Sequence, residues 1–313
     1  MRIEDLRQKA RGVYVIAPTP FHADGRIDES SIDRMTDFFL KAGVDGITVL
    51  GQLGEAPKMT HEESVGIVKR VIARARVPIV VGVSAPGFAA MRALTQDVMA
   101  LGASGVMIAP PNTLRTDDSI VQYYKQAAEA IGTDVPFVIQ DYPLTFSVQM
   151  TPAVIRRIAA ETASCWFLKH EDWPGLEKIS QLRAWDKDGS MKRLPILIGN
   201  NALFLDFEVE RGADGANTGY CFPDMLVDVV NLDAAGKRDE AHDLFDAHLP
   251  LIRYEQQPGP GLAVRKYVMM RRGIIASDTL RKPAAALSGA ARAEVDYLLA
   301  RLARRDPRAN IQA

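Results

Sequence analysis

The sequence predicts a (β/α)8 TIM barrel, an α/β fold, with a three-helix appendage at its C-terminal end. Three observations support this. Eight short segments, most of them β-branched and apolar, recur through the first 235 residues, and helical patterns lie between them. The runs are continuously apolar rather than alternating, which suits parallel strands covered on both faces. Eight strands alternating with helices favour a closed barrel over a doubly wound open sheet.

The strands are expected at 13–17 (VYVIA), 46–50 (GITVL), 78–83 (PIVVGV), 105–109 (GVMIA), 136–140 (PFVIQ), 165–169 (CWFLK), 195–199 (PILIG) and 214–218 (DGANT). The eighth is weak and is read from its place in the series. The first helix, 32–42, carries apolar residues at 32, 35, 38, 39 and 40 and stops at Ala42-Gly43. Thr60 opens the second, with Glu63 placed as in a capping box and Val65, Ile67, Val68, Val71 and Ile72 as its buried stripe. Further helices are expected at 89–101, 117–131, 152–162, 173–185, 202–211 and 224–235. A weak repeat runs through the chain as GVDGITV, GASGVMI and GADGANT, each time a helix ending at glycine and a strand following.

Beyond residue 235 the patterns are helical only, at 240–254, 261–272 and 289–304. Pro258-Gly-Pro-Gly261 separates the first two, and Val295, Leu298, Leu299 and Leu302 give the last an apolar stripe. The expected division is a barrel over 1–235, an appendage over 236–305 and a frayed tail over 306–313.

Composition narrows the function. Lys plus Arg is 38 and Asp plus Glu 39, so the basic surplus that a nucleic-acid partner requires is missing. A hydrophobic fraction of 47% excludes a disordered chain. Cys165 and Cys221 cannot make a disulfide framework and read as small buried hydrophobes. The five histidines show no HExxH and no cysteine pair has zinc spacing, so no metal is expected. No apolar run approaches the roughly 18 residues that span a bilayer. The opening MRIEDLRQKARG carries acidic residues and no apolar core, unlike a signal peptide. A cytoplasmic protein without a membrane partner is expected.

In a parallel barrel, chemistry collects at the C-terminal ends of the strands. After the second strand, Gly51-Gln52-Leu53-Gly54-Glu55 has two glycines that let backbone N–H groups approach an anion; the alternative is a tight turn with a buried Glu55. The fifth strand ends Gln140-Asp141-Tyr142-Pro143, either a pocket lining or an ordinary polar loop. The sixth ends Lys169-His170-Glu171, and strand alternation places Lys169 and Glu171 on one face and His170 on the other. An amine inside an apolar barrel loses the hydration that favours its charged form, and a neutral amine can attack a ketone. The alternative is a strand-end lysine reaching for water. Gly199 and Thr218, ending the seventh and eighth strands, are candidates for the same pocket. The pairs Tyr123-Tyr124 and Met269-Met270 read as packing.

Taken together, APTPF (17–21), GQLGE (51–55), APP (109–111), Lys169 ending the sixth strand and GADG (212–215) resemble the dihydrodipicolinate synthase / N-acetylneuraminate lyase family of Schiff-base lyases over roughly residues 10–300. The resemblance implies an imine between Lys169 and a 2-oxo acid, no separate cofactor, a carboxylate site at Gly51, Gln52, Leu53 and Gly54, and a homotetramer. Three departures matter. Gln52-Leu53 stands where the family has a Thr/Ser-Thr pair, Gln140 where it has a proton-shuttling tyrosine, and Thr145 where the lysine-biosynthetic synthase has an arginine for a second carboxylate. The family's interface tyrosine falls near Asn112 or Thr113, and Tyr142 stands where it has a plain apolar residue. Gln-Asp-x-Pro with Lys-x-Glu, and the stretch Asn217-Thr-Gly-Tyr-Cys-Phe-Pro-Asp224, look more like the L-2-keto-3-deoxyarabonate dehydratase branch.

The reading that follows is dehydration of a 2-keto-3-deoxy sugar acid, with Lys169 forming the iminium, Glu171 as acid/base and Gln140 orienting a substrate hydroxyl. Glutamine cannot exchange protons near neutral pH, which weakens retro-aldol cleavage relative to dehydration. Two alternatives stand beside it: a pyruvate-dependent aldolase or synthase of the same family, and a catalytically reduced protein that binds a 2-oxo acid. Glu171 also has a plainer reading, as an ion pair that holds Lys169.

Overall fold

In a computed structural model that describes residues 3–311, eight parallel strands close into a barrel in chain order. A short helix α1 (Ile3–Lys9) precedes β1 (Gly12–Ile16). Then follow α2 (Glu29–Lys41), β2 (Gly46–Val49), α3 (His61–Arg74), β3 (Ile79–Gly82), α4 (Phe88–Ala100), β4 (Gly105–Ile108), α5 (Asp117–Ile131) and β5 (Phe137–Asp141). The one-turn α6 (Pro143–Phe146) comes before α7 (Pro152–Glu161), β6 (Cys165–His170), α8 (Leu176–Lys187), β7 (Ile196–Ile198), α9 (Leu205–Glu210) and β8 (Gly215–Thr218). The barrel ends with α10 (Pro223–Ala234), and α11 (Arg238–Glu255), α12 (Gly261–Arg271) and α13 (Gly289–Leu302) pack outside it. All eight expected strands form, the weak eighth included, because Gly12–Val15 of β1 pairs with Gly215–Thr218 and closes the ring.

The helix signals act as their chemistry predicts. Thr60 accepts from the Glu63 N–H while Glu63 reaches back to the Thr60 N–H, a complete capping box. Pro152 and Pro223 sit in the first turns of α7 and α10, where the missing N–H costs nothing. The helix expected at 173–185 begins only at Leu176. The one expected at 202–211 begins at Leu205, after a left-handed turn taken up below.

Two apolar layers hold the fold. The larger lies between the strands and the helices; a smaller one fills the barrel interior with Tyr14, Val80, Met107, Val138, Trp166, Phe167 and Leu197. A bulge shapes this interior layer. Between the pairs Phe137↔Cys165 and Ile139↔Leu168, β6 advances one residue more than β5. The extra residue lets the consecutive Trp166 and Phe167 both enter the interior layer, their centroids 5.2 Å apart. Alternation then resumes, with Gln140 opposite Lys169 and Asp141 opposite His170. From below, α1 closes the barrel: Leu6 and Ala10 join the layer, and Arg7 Nε donates to Cys165 O at 2.8 Å.

The tail corrects one expectation. Residues 306–311 dock rather than fray. Asp306 is buried with its Oδ2 2.7 Å from His248 Nε2, and Pro307–Ala309 forms a single 3-10 turn with Ala309 buried. Positions 312 and 313 lie outside the described residues.

Candidate active site

A cavity of about 570 Å³ opens at the C-terminal ends of the strands. Lys169, Glu171, Gln140, Gln52, Leu53 and Thr218, read from the sequence as site residues, all line it. Lys169 and Glu171 project from β6 and its continuation, and Gln140 from the neighbouring β5. Lys169 Nζ lies 3.0 Å from Glu171 Oε2, and Gln140 Nε2 donates to the same oxygen at 2.8 Å. The other carboxylate oxygen accepts from the Asn200 N–H at 3.2 Å. An amine, an amide and a backbone N–H therefore converge on one carboxylate, and both charged side chains are only 6% exposed. The lysine faces its counter-ion rather than an apolar wall, so the plainer reading of Glu171 as an ion-pair partner holds as geometry. It does not exclude a chemical role, since a carboxylate beside an amine can take and return its proton.

The three glycines act differently. Gly54 N–H donates to Gly51 O at 3.0 Å, tightening the loop, and Gly54 O accepts from Thr19 Oγ1 at 2.7 Å. Gly51 borders a second, adjoining cavity of about 500 Å³ that meets the first at Gln52 and Gln140. Gly199 packs on Glu171: a Cβ there would fall 2.2 Å from Glu171 Cγ. It leaves room for the carboxylate. The backbone N–H groups of Gln52 and Leu53 find no acceptor among the described residues. Glu55 is buried as expected of the tight-turn alternative. It accepts from Lys266 Nζ at 2.6 Å and Lys58 Nζ at 2.8 Å, tying the β2 loop to α12. Burial pushes Lys266 down to about 8, against the pull of Glu55.

His170 points away from the cavity, as alternation requires. Its Nδ1 is 3.7 Å from Asp141 Oδ2 and its Nε2 4.0 Å from Glu208 Oε1, and neither ring nitrogen has a hydrogen-bond partner among the described residues. Asp141 instead pairs with Lys178 at 2.7 Å. Burial pushes the Glu208 carboxyl up to about 8, with the Asp206 charge adding to it.

Several lining residues were not singled out from the sequence as parts of a site: Asn200, Asn201, Glu255, Gln256 and Arg265. Tyr142, from the strand-end stretch 140–143, lines the cavity too. Burial and the Glu171 charge raise its phenol above the ordinary value. Glu255 accepts from Arg265 Nε at 2.5 Å. Burial raises the Glu255 carboxyl while the Arg265 charge opposes that rise. Glu255, Gln256 and Arg265 come from α11, the link after it and α12, which carry no strand-end signal, whereas Asn200 and Asn201 follow β7. Among the described residues no group of three or more His, Cys, Asp or Glu side chains is arranged to hold a metal ion.

The site sets a buried amine against a carboxylate beside an open cavity. The dihydrodipicolinate synthetase family model matches residues 9–302. An L-2-keto-3-deoxyarabonate dehydratase of Azospirillum brasilense is 30% identical over 303 residues, covering 95% of each chain. A 4-hydroxy-tetrahydrodipicolinate synthase of Chlorobium luteolum is 29% identical over 297 residues, covering 92% of this chain and 96% of that one. The crystal structure of a dihydrodipicolinate synthase from Rhodopseudomonas palustris superposes with a TM-score of 0.93 at 64% identity, covering 94% of this chain and 98% of that one.

Proposed function

This chain belongs to the dihydrodipicolinate synthetase family, and from that premise we propose that it is a Schiff-base lyase that dehydrates a 2-keto-3-deoxy sugar acid. One observation carries the reading. The carboxylate touching Lys169 Nζ at 3.0 Å is supported by Gln140, a group that holds hydrogen bonds but moves no protons, where the family resemblance places a tyrosine.

The substrate carboxylate docks on the free N–H groups of Gln52 and Leu53. Lys169 attacks C2 and water leaves, giving an iminium that draws electrons from C3. Glu171 takes a C3 proton, and the C–H pair becomes the enamine double bond. The enamine pushes out the C4 hydroxyl, which leaves as water with the proton that Glu171 now carries. Hydrolysis of the conjugated iminium returns Lys169 and releases the dehydrated oxo acid. Gln140 keeps the carboxylate turned toward the amine throughout. A relative named as an L-2-keto-3-deoxyarabonate dehydratase supports the choice of dehydration. Thr145, where the resemblance places the arginine for a second carboxylate, weighs against the synthase reading.

The test is borohydride reduction in the presence of pyruvate, followed by intact mass and peptide mapping. A mass gain on Lys169, absent in Lys169→Ala, is expected. Incubation with 2-keto-3-deoxyarabonate should then give loss of one water without pyruvate release. Pyruvate release would replace dehydration with aldol cleavage. Failure to trap either acid would leave a binding protein.

A further inference from the structure

The turn after β7 is unusual. Asn200, Asn201 and Ala202 have φ values of 47°, 57° and 60°, three successive non-glycine residues in the left-handed region. Left-handed backbone costs an L-residue free energy, is visited as single residues rather than runs, and persists only where surrounding contacts over-determine it. Asparagine tolerates the region better than most residues, alanine does not. The first residue of the turn donates its N–H to Glu171 Oε1.

The contacts that hold the turn come from outside the barrel. Gln256 Nε2 donates to Asn200 Oδ1, Arg265 Nη2 donates to Asn201 Oδ1, and Asn201 Nδ2 donates to Ile252 O at 3.4 Å. Arg265 is itself fixed, 3% exposed and bonded through Nε to Glu255. Its path crosses Gly219, where a Cβ would fall 2.4 Å from Arg265 Nη1. Two helices that contribute no strand to the fold therefore grip the segment that sets one oxygen of the site carboxylate.

We propose that Arg265 and Gln256 are positioning residues for Glu171, acting through the left-handed turn Asn200–Ala202. This rests on Glu171 being the acid/base of the reaction proposed above. Ordinary packing of the appendage on the barrel would produce the same contacts, but would lose only stability when they are cut. Positioning predicts a catalytic loss that a change in the turn itself can repair.

The experiment compares Arg265→Met and Gln256→Ala in the full chain with 2-keto-3-deoxyarabonate. A displaced catalytic group costs up to roughly 100-fold in rate. The expected result is a fall in kcat of that order for Arg265→Met and a smaller one for Gln256→Ala. KM and borohydride trapping of pyruvate at Lys169 should change no more than a few-fold. Adding Ala202→Gly to Arg265→Met should recover several-fold of kcat, because glycine takes left-handed backbone without a Cβ penalty. Unchanged kcat in both folded variants overturns the proposal. So does a loss that Ala202→Gly leaves untouched while both variants melt early. If Arg265→Met leaves Glu255 unpaired and does not fold, Gln256→Ala and its double with Ala202→Gly carry the test from a half-buried position. A wild-type chain that traps no oxo acid removes the Schiff-base reading instead; normal trapping with unaltered turnover in the variants removes only the positioning role.

Discussion

At its lower end the barrel interior is packed with Tyr14, Trp166 and Phe167 and closed by α1; one layer higher on β6 it holds Lys169 and Glu171 beside an open cavity. The lower end gains stability from edge-to-face rings with centroids 5.2–6.2 Å apart. Two polar atoms there, Tyr14 Oη and Trp166 Nε1, are buried without a partner among the described residues. At the upper end both oxygens of Glu171 are engaged, one by Lys169 and Gln140, the other by Asn200. Packing tolerates an unpaired polar atom where apolar area is plentiful. A site that must hold a carboxylate against an amine needs its hydrogen bonds complete before substrate arrives.

Substitutions at the two ends should therefore fail in different ways. The largest effect is expected for Lys169→Ala. The trapped adduct disappears and turnover with it, and the melting temperature falls as well, since Glu171 is left buried without its partner. An adduct that persists on another lysine would move the site. Next comes Glu171→Gln, which keeps the shape and loses proton transfer. Turnover should fall by about 10²–10⁴-fold, with trapping of pyruvate retained. A loss of trapping equal to the loss of turnover would make Glu171 an ion-pair partner of the lysine and nothing more. Phe167→Ala, one layer below, should instead cost about 3–5 kcal/mol of stability, read from urea midpoints. The folded fraction should turn over far better than Glu171→Gln. If its turnover falls as far, the two ends are coupled through β6 and the layers are not independent.

Much of this division was legible in the sequence. A period of two from Lys169 puts Glu171 beside it and His170 behind, and the strand-end rule points to Gln140 on the adjoining strand. What escaped has physical reasons. The bulge in β6 inserts one residue into a run, CWFL, that is apolar throughout, so no change of pattern marks it. The N-terminal helix is seven residues long, too short for periodicity to stand out. The turn at 200–202 lies at the junction between the strand expected at 195–199 and the helix expected at 202–211, and only the Asn200-Asn201 pair hints at left-handed backbone. Arg265 and Gln256 reach it across 64 and 56 positions of chain, a separation that no local pattern encodes.

The smallest effect tests the layer behind the site. Glu208 on α9 is buried with its carboxyl pushed up to about 8 and faces the unpartnered His170 Nε2. Its ordinary value is 4.5, so between those limits the folded chain holds a proton that the unfolded chain has released. Stability must then fall as pH rises through the window, by at most about 1.4 kcal/mol per pH unit for one proton. Glu208→Gln keeps the shape, has no proton to lose, and should remove that part of the slope. The check is a pair of urea midpoints at two pH values inside the window, for wild type and variant. A wild-type stability that is flat or rises with pH, and is unaltered in its slope by the substitution, would mean that Glu208 is ionised in the folded chain. The outer face of β6 would then face a buried carboxylate across from His170. It would resemble the inner face, where Glu171 is held as a buried carboxylate, and the contrast between that site and a protonated Glu208 behind it would no longer hold.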